Sequence, residues 1–160
     1  MFDTTLAFII AAAAVNGILA GASLDQSIKQ LPARLRMGAV AYSVYSRASD
    51  LGNGVVWYAL LGIGGALLAI VAAVLVFVTR SNAAFALPGW PVYLAAALSI
   101  MHSIVTALAA PVNFSQRKHE GDEAALSSLF DRFSRLQALR ATLQVLAFAA
   151  LLWGLVAYPR

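Results

Sequence analysis

The residues of this chain able to do chemistry are few, and most sit in apolar surroundings. Ser99, His102, Ser103 and Thr106 recur at three- and four-residue intervals inside one apolar stretch, and Asn113 continues their face. Gln137, Arg140 and Gln144 stand at i, i+3 and i+7 in the last stretch, while Thr5, Asn16 and Ser23 share a face in the first. A polar group inside apolar sequence needs a partner or a task. His102 is therefore either a satisfied packing residue or a proton or ligand contact. Arg140 either snorkels along its own aliphatic stem to the aqueous boundary or pairs with an anionic or quinone-like oxygen. Asn16 and Gln144 either bond helices together, at about 0.6 kcal/mol per contact, or line a pocket. If the seams face one another, they make one polar pocket contacted by Asn16, His102, Ser103, Thr106, Asn113, Gln137, Arg140 and Gln144.

Much other chemistry is excluded by count. The chain has no cysteine, which removes disulfides, thiolate nucleophiles and Cys-based metal sites. Its two histidines are too few for a histidine-rich di-iron hydroxylase. Only His102 falls in an apolar stretch, so bis-His haem would need a second copy. His119-Glu120-Gly121-Asp122-Glu123 resembles a metal cluster, but no further His or Cys completes a set. It reads as a solvated loop with an acidic helix start that suits the helix dipole. No phosphate-binding glycine loop, Ser/His/Asp arrangement or pair of intramembrane carboxylates is found. Asp25 and Asp50 are placed at helix ends rather than inside spans, which argues against a proton-driven transporter. The expectation is no metal and no cofactor.

The elements that position these residues follow from composition. Of 160 residues 61% are hydrophobic and only 11% charged, with a mean hydropathy of +0.80. Soluble domains carry about 25% charged residues, so this chain in water would expose large apolar patches. One bilayer domain fits: spans of about 20 residues are expected at about 5–24, 55–79, 91–110 and 138–158. The first run is read as a retained span rather than a signal peptide, because Met1 to Thr5 carries no Lys or Arg. Pro91 suits a first helical turn, and Pro111 is expected to stop or kink the third helix. Asp122 is expected to cap a last helix that runs unbroken from Glu123 through the fourth span. The connection 25–54 is basic and tyrosine-bearing, and an interfacial helix is expected in it after Pro32.

Orientation follows from the cations. With four spans, Arg80 and Arg160 share one side, and the other nine Lys and Arg lie in or beside the connections 25–54 and 111–137. The positive-inside rule puts those connections in the cytoplasm and both termini outside. The net charge of +4 then reports topology and attraction to anionic lipid, not nucleic-acid binding. On this orientation Asn16, His102 and Gln144 lie about 15–20 Å below the outer ends of their helices. Gly17-x-x-x-Gly21 and the small face Gly62, Gly65, Ala69 and Ala73 are close-packing signals, serving either the bundle or a homodimer. The expected fold is all-α: an integral membrane up-down four-helix bundle with an interfacial helix after the first span. Expected partners are membrane lipid, a small lipophilic ligand, and a second copy or a larger membrane complex.

Pro111-Val112-Asn113, followed after a polar loop by Phe133-Ser134-Arg135-Leu136-Gln137-Ala138-Leu139-Arg140, resembles the anthrone oxygenase-like family of small four-span membrane proteins. That pattern ends the third span with Pro-x-Asn and opens the fourth with an aromatic-x-Arg-x-His-x-x-Arg run. Asn113, Arg135 and Arg140 match it; Gln137 stands where the pattern has His, and Phe133 where it has Trp. The resemblance covers most of the chain in layout and about a dozen residues in motif. It implies a bacterial-type inner (plasma) membrane location and adds Arg135 to the ligand contacts. It also implies cofactor-independent oxidation of an anthrone or related phenol. In that reaction His102 would be the proton acceptor that generates a carbanion, and Arg140 or Gln137 would stabilise the oxyanion. Three functions are carried forward: a membrane protein binding a lipophilic molecule or partner subunit, an anthrone-type oxygenase, and a structural subunit with no ligand.

Overall fold

A computed structural model describes residues 3–81 and 89–158, with only the backbone of Arg80 and Ser81. The expected second connection, 81–90, and the terminal Pro159 and Arg160 fall largely outside the described residues, as do Met1 and Phe2. Every element among the described residues is helical. Helix α1 (Thr4–Asp25) begins at Asp3, whose Oδ1 accepts the Leu6 N–H at 3.1 Å. A wide π-helical turn, Gln26–Gln30, carries it without a break into α2 (Leu31–Met37). The first helix therefore runs twelve residues beyond the apolar limit at Asp25. Hydropathy marks where apolar residues stop, whereas a helix stops at a conformational signal. Here that signal is Gly38, at φ 84°, a left-handed conformation that glycine adopts without strain.

Helix α3 (Ala39–Ala48) follows at once, and a second π-helical turn, Ser49–Asn53, leads into α4 (Gly54–Ser81). Gly52 breaks the helical path there, at φ −93° and ψ −121°. Helix α5 (Trp90–Phe114) carries Pro91 in its first turn. Pro111 does not end it: the helix runs to Phe114 and closes in a 3₁₀ turn, Ser115–Lys118. Pro111 forgoes one N–H bond to the preceding turn, and the residues after it still keep the helical path to Phe114. Helix α6 (Glu123–Val156) is one unbroken 34-residue helix, with Asp122 Oδ1 accepting the Ala125 N–H at 3.0 Å.

Helix α1 packs on α4 and α6, and α5 packs on the same two. Near the Trp90 end, small residues let all four meet around Ile9, Ala12, Ala72, Val92, Ala95 and Leu151. Gly154 approaches Val92 so closely that a Cβ there would lie 2.9 Å from its methyl. A second apolar cluster joins α2, α3, α5 and α6 around Leu31, Tyr42, Leu126 and Phe130. Tyr42 meets Phe130 edge-on, ring centroids 4.9 Å apart. Glu123 fastens this end, its carboxylate accepting the Ala39 and Val40 N–H groups at 2.5 and 3.0 Å. Arg34–Asp131 at 2.6 Å and Arg47–Glu120 at 2.9 Å add two ion pairs to the same junction. Asp122, Glu120 and Glu123 of the acidic loop thus serve as a helix cap, an ion-pair partner and a cap for α3.

Among the described residues, four helical stretches are long and apolar enough to cross a membrane: Thr4–Met37, Ala39–Thr79, Trp90–Lys118 and Glu123–Val156. Their outward faces carry Leu60, Ile63 and Leu108, each at least 60% exposed. Leaving such a side chain in water forgoes about 1.5–3 kcal/mol. A multi-pass membrane protein is the state in which these faces cost nothing.

Candidate functional site

The polar seams separate into two clusters. In the first, Asn16 lies between α1 and α4, its Nδ2 donating to the carbonyls of Ala12 at 2.8 Å and Gly65 at 3.1 Å. Gln144 of α6 donates to Asn16 Oδ1 at 2.7 Å and to the Asn16 carbonyl at 3.2 Å. Ser99 of α5 donates to the same Oδ1 at 3.5 Å. One asparagine thereby ties all four long helices together. It fits because Gly65 has no side chain; a Cβ there would stand 3.3 Å from the Asn16 amide. Asn16 and Gln144, expected as ligand contacts, are engaged with each other and with backbone.

The second cluster centres on Arg140, 8% exposed and so buried rather than snorkelling. Its Nη1 donates to Gln137 Oε1 at 2.8 Å, and Gln137 Nε2 donates to the Ser23 carbonyl at 3.2 Å, fixing the pair against α1. Among the described residues Arg140 Nε has no hydrogen-bond partner. Among the described residues no carboxylate forms an ion pair with this guanidinium. His102 Nδ1 lies 3.2 Å from the Arg140 carbonyl. A carbonyl only accepts, so Nδ1 carries the proton and Nε2 is left as the ring's acceptor. Ser103 and Thr106 donate to carbonyls of their own helix, at Ser99 and His102.

Space adjoins this second cluster. Two cavities of about 180 and 240 Å³ share Tyr58, Ala59, Thr106, Ala110 and Arg140. They form one crevice between α4 and α5, with Arg140 of α6 as its floor. The larger part reaches His102, Ser103 and Gly62. The smaller reaches Gln26, Asp50 and Asn113. The rim is apolar and exposed, with Val55 and Ile63 of α4 facing Phe114 of α5. The crevice therefore opens sideways between two helices.

Of the expected contacts, His102, Ser103, Thr106, Asn113 and Arg140 line the crevice, and Gln137 holds Arg140 from behind. Arg135 is exposed on the opposite face of α6 from Gln137. The pocket expected between the first, third and fourth spans lies instead against the second. Tyr58 and Asp50 are the residues that sequence reasoning missed. Asp50, placed by sequence at a helix end, is 7% exposed and lines the crevice. The π-helical turn and the break at Gly52 bring it inward. The legible signal was an acid followed by Leu51-Gly52-Asn53-Gly54, where glycines let the chain bend at the head of an apolar run. Asp50 is further bound by Ser46, whose hydroxyl donates to Oδ2 at 3.1 Å. Ser46 accepts in turn from Gln116, which also bonds Ser43 and Asn113. This buried chain couples the wall of the crevice to α3. Comparison with family models, with curated proteins and with solved structures returns no match for this chain.

Proposed function

We propose that this chain is a four-span, up-down integral membrane protein that binds a small lipophilic molecule in the crevice between α4 and α5, where Arg140 meets an electron-rich oxygen of the ligand. The observation that carries the reading is the buried guanidinium with a bare Nε beside an open cavity. A charge in an apolar interior is strongly unfavourable without a partner. A molecule arriving through the lateral rim would supply one. The distribution of cations supports a cytoplasmic location for connections 25–54 and 111–137 with termini outside, and the resemblance of its motifs supports a bacterial-type inner membrane. In that setting α2 and α3 lie at the interface. Helix α6, about 51 Å long, also exceeds a hydrocarbon core of about 30 Å, so its first third stands among headgroups.

The test is mass spectrometry of small molecules retained by the purified full-length chain. Wild type should carry a bound lipophile, and Arg140→Met should lose it while remaining folded. Equal retention by the two proteins overturns the reading, and absence of any retained molecule favours a structural subunit. Tag accessibility should place both termini outside; a cytoplasmic terminus inverts the topology.

A second reading, the anthrone-type oxygenase, is favoured by His102, with Nε2 as the ring's remaining acceptor, lining the same crevice as Arg140. Gln137 does not titrate, so His102 would be the proton acceptor. Oxygen uptake with an anthrone, abolished in folded His102→Ala, supports it. No uptake by wild type removes it.

A further inference from the structure

The crevice has a second formally charged wall. Asp50 and Arg140 line the same 180 Å³ cavity, and each is more than nine-tenths buried. Among the described residues they form no ion pair with each other. A formal acid and a formal base thus face one space without touching each other. A monoanion seated there would compensate Arg140 and leave Asp50 uncompensated, and a simple cation would do the reverse. A neutral polar molecule would bring hydrogen bonds but no countercharge. A zwitterion answers both walls at once, through two charge-assisted contacts. The rim of Val55, Ile63 and Phe114 is exposed and apolar, so the zwitterion must be carried on a lipid-soluble body.

We propose that the crevice holds the headgroup of an aminophospholipid, its phosphate on Arg140 and its primary ammonium on Asp50, with the acyl chains leaving between α4 and α5. This rests on the binding reading given above and names its ligand class. A primary ammonium has N–H groups to donate to a carboxylate; a quaternary one has none. Tyr58 and Asn113 line the same cavity and carry an O–H and an amide N–H that can be donated to the phosphate and glycerol oxygens.

The test is native mass spectrometry of the delipidated full-length chain, titrated in detergent with phosphatidylethanolamine, phosphatidylglycerol or phosphatidylcholine. Wild type should bind phosphatidylethanolamine about tenfold more tightly than either other lipid, a difference of about 1.4 kcal/mol. Asp50→Asn should lose that preference and bind phosphatidylglycerol at least as well. Arg140→Met should lose adducts of all three. Phosphatidylglycerol binding as tightly as phosphatidylethanolamine to wild type overturns the zwitterion while leaving the Arg140 anion contact standing. If no adduct depends on Arg140, the headgroup assignment fails, and the copurified molecule still tests the crevice separately. Water-soluble phosphoethanolamine competing as well as the lipid overturns a lipid source. Should Asp50→Asn fail to fold, the wild-type ranking decides alone.

Discussion

Asn16 and Arg140 are both buried polar residues in the middle of one helical bundle, and they end in opposite states. Around Asn16, amide meets amide and backbone until four helices are bonded. Around Arg140 one nitrogen is bonded to Gln137, another is bare, and a cavity lies alongside. The difference is made by small residues one turn apart on α4. A Cβ at Gly65 would meet Asn16 at 3.3 Å, whereas a Cβ at Gly62 would meet nothing within 4 Å. Polar side chains therefore mark where a bundle is committed, and the neighbouring glycines decide whether that place is glue or a site.

The sharpest way to break this contrast is Arg140→Met. Removing one member of a buried charged contact costs about 2–5 kcal/mol of affinity, so ligand retention should fall by about thirtyfold or more. Stability should hold or rise, because a well-packed apolar replacement for a buried charge is often neutral or better. A large fall in melting temperature would show that Arg140 is glue after all. Asn16→Ala should do the reverse. It leaves Gln144 without its amide acceptor and should destabilise by about 1–3 kcal/mol, read as a lower melting temperature with the bound molecule retained. Gly62→Leu sharpens the comparison between the two glycines. It should enter the crevice and weaken binding about tenfold, or about 1.4 kcal/mol, with little change in melting temperature. Unchanged binding would place the ligand elsewhere.

The smallest effect belongs to the junction of α3 with α6. Arg47 holds the Glu120 carboxyl below its usual value through their hydrogen bond. A depressed carboxylate stabilises the fold above its unfolded value and loses that contribution as pH falls through its folded one. The melting-temperature difference between wild type and Arg47→Gln should therefore be present at neutral pH and shrink in the acid range below 4.5. A difference unchanged to pH 3 would assign Arg47 a packing role instead.

Gly17 and Gly21 show the same division within one motif. A Cβ at Gly17 would lie 2.9 Å from the Phe148 ring, so this position serves the contact with α6. A Cβ at Gly21 would meet nothing within 4 Å. The GxxxG spacing announces close packing, but only half of it is used inside the bundle.

Sequence alone determined that the chain is helical and apolar enough for a bilayer, because composition and run length act residue by residue. It also determined the polar faces of α5 and α6, since the 3.6-residue period is local, and the start of α6, since Asp122 caps its own helix. The tertiary structure decided that Asn16 would be consumed by bonding and that Arg140 would not. It also brought Asp50 into the wall of the crevice and set that crevice against α4 rather than α1. The physical reason is that a cavity consists of absent atoms. Gly62 and Ala59 carry no polar signal, and whether their smallness leaves space or admits a neighbour depends on how helices far apart in sequence cross.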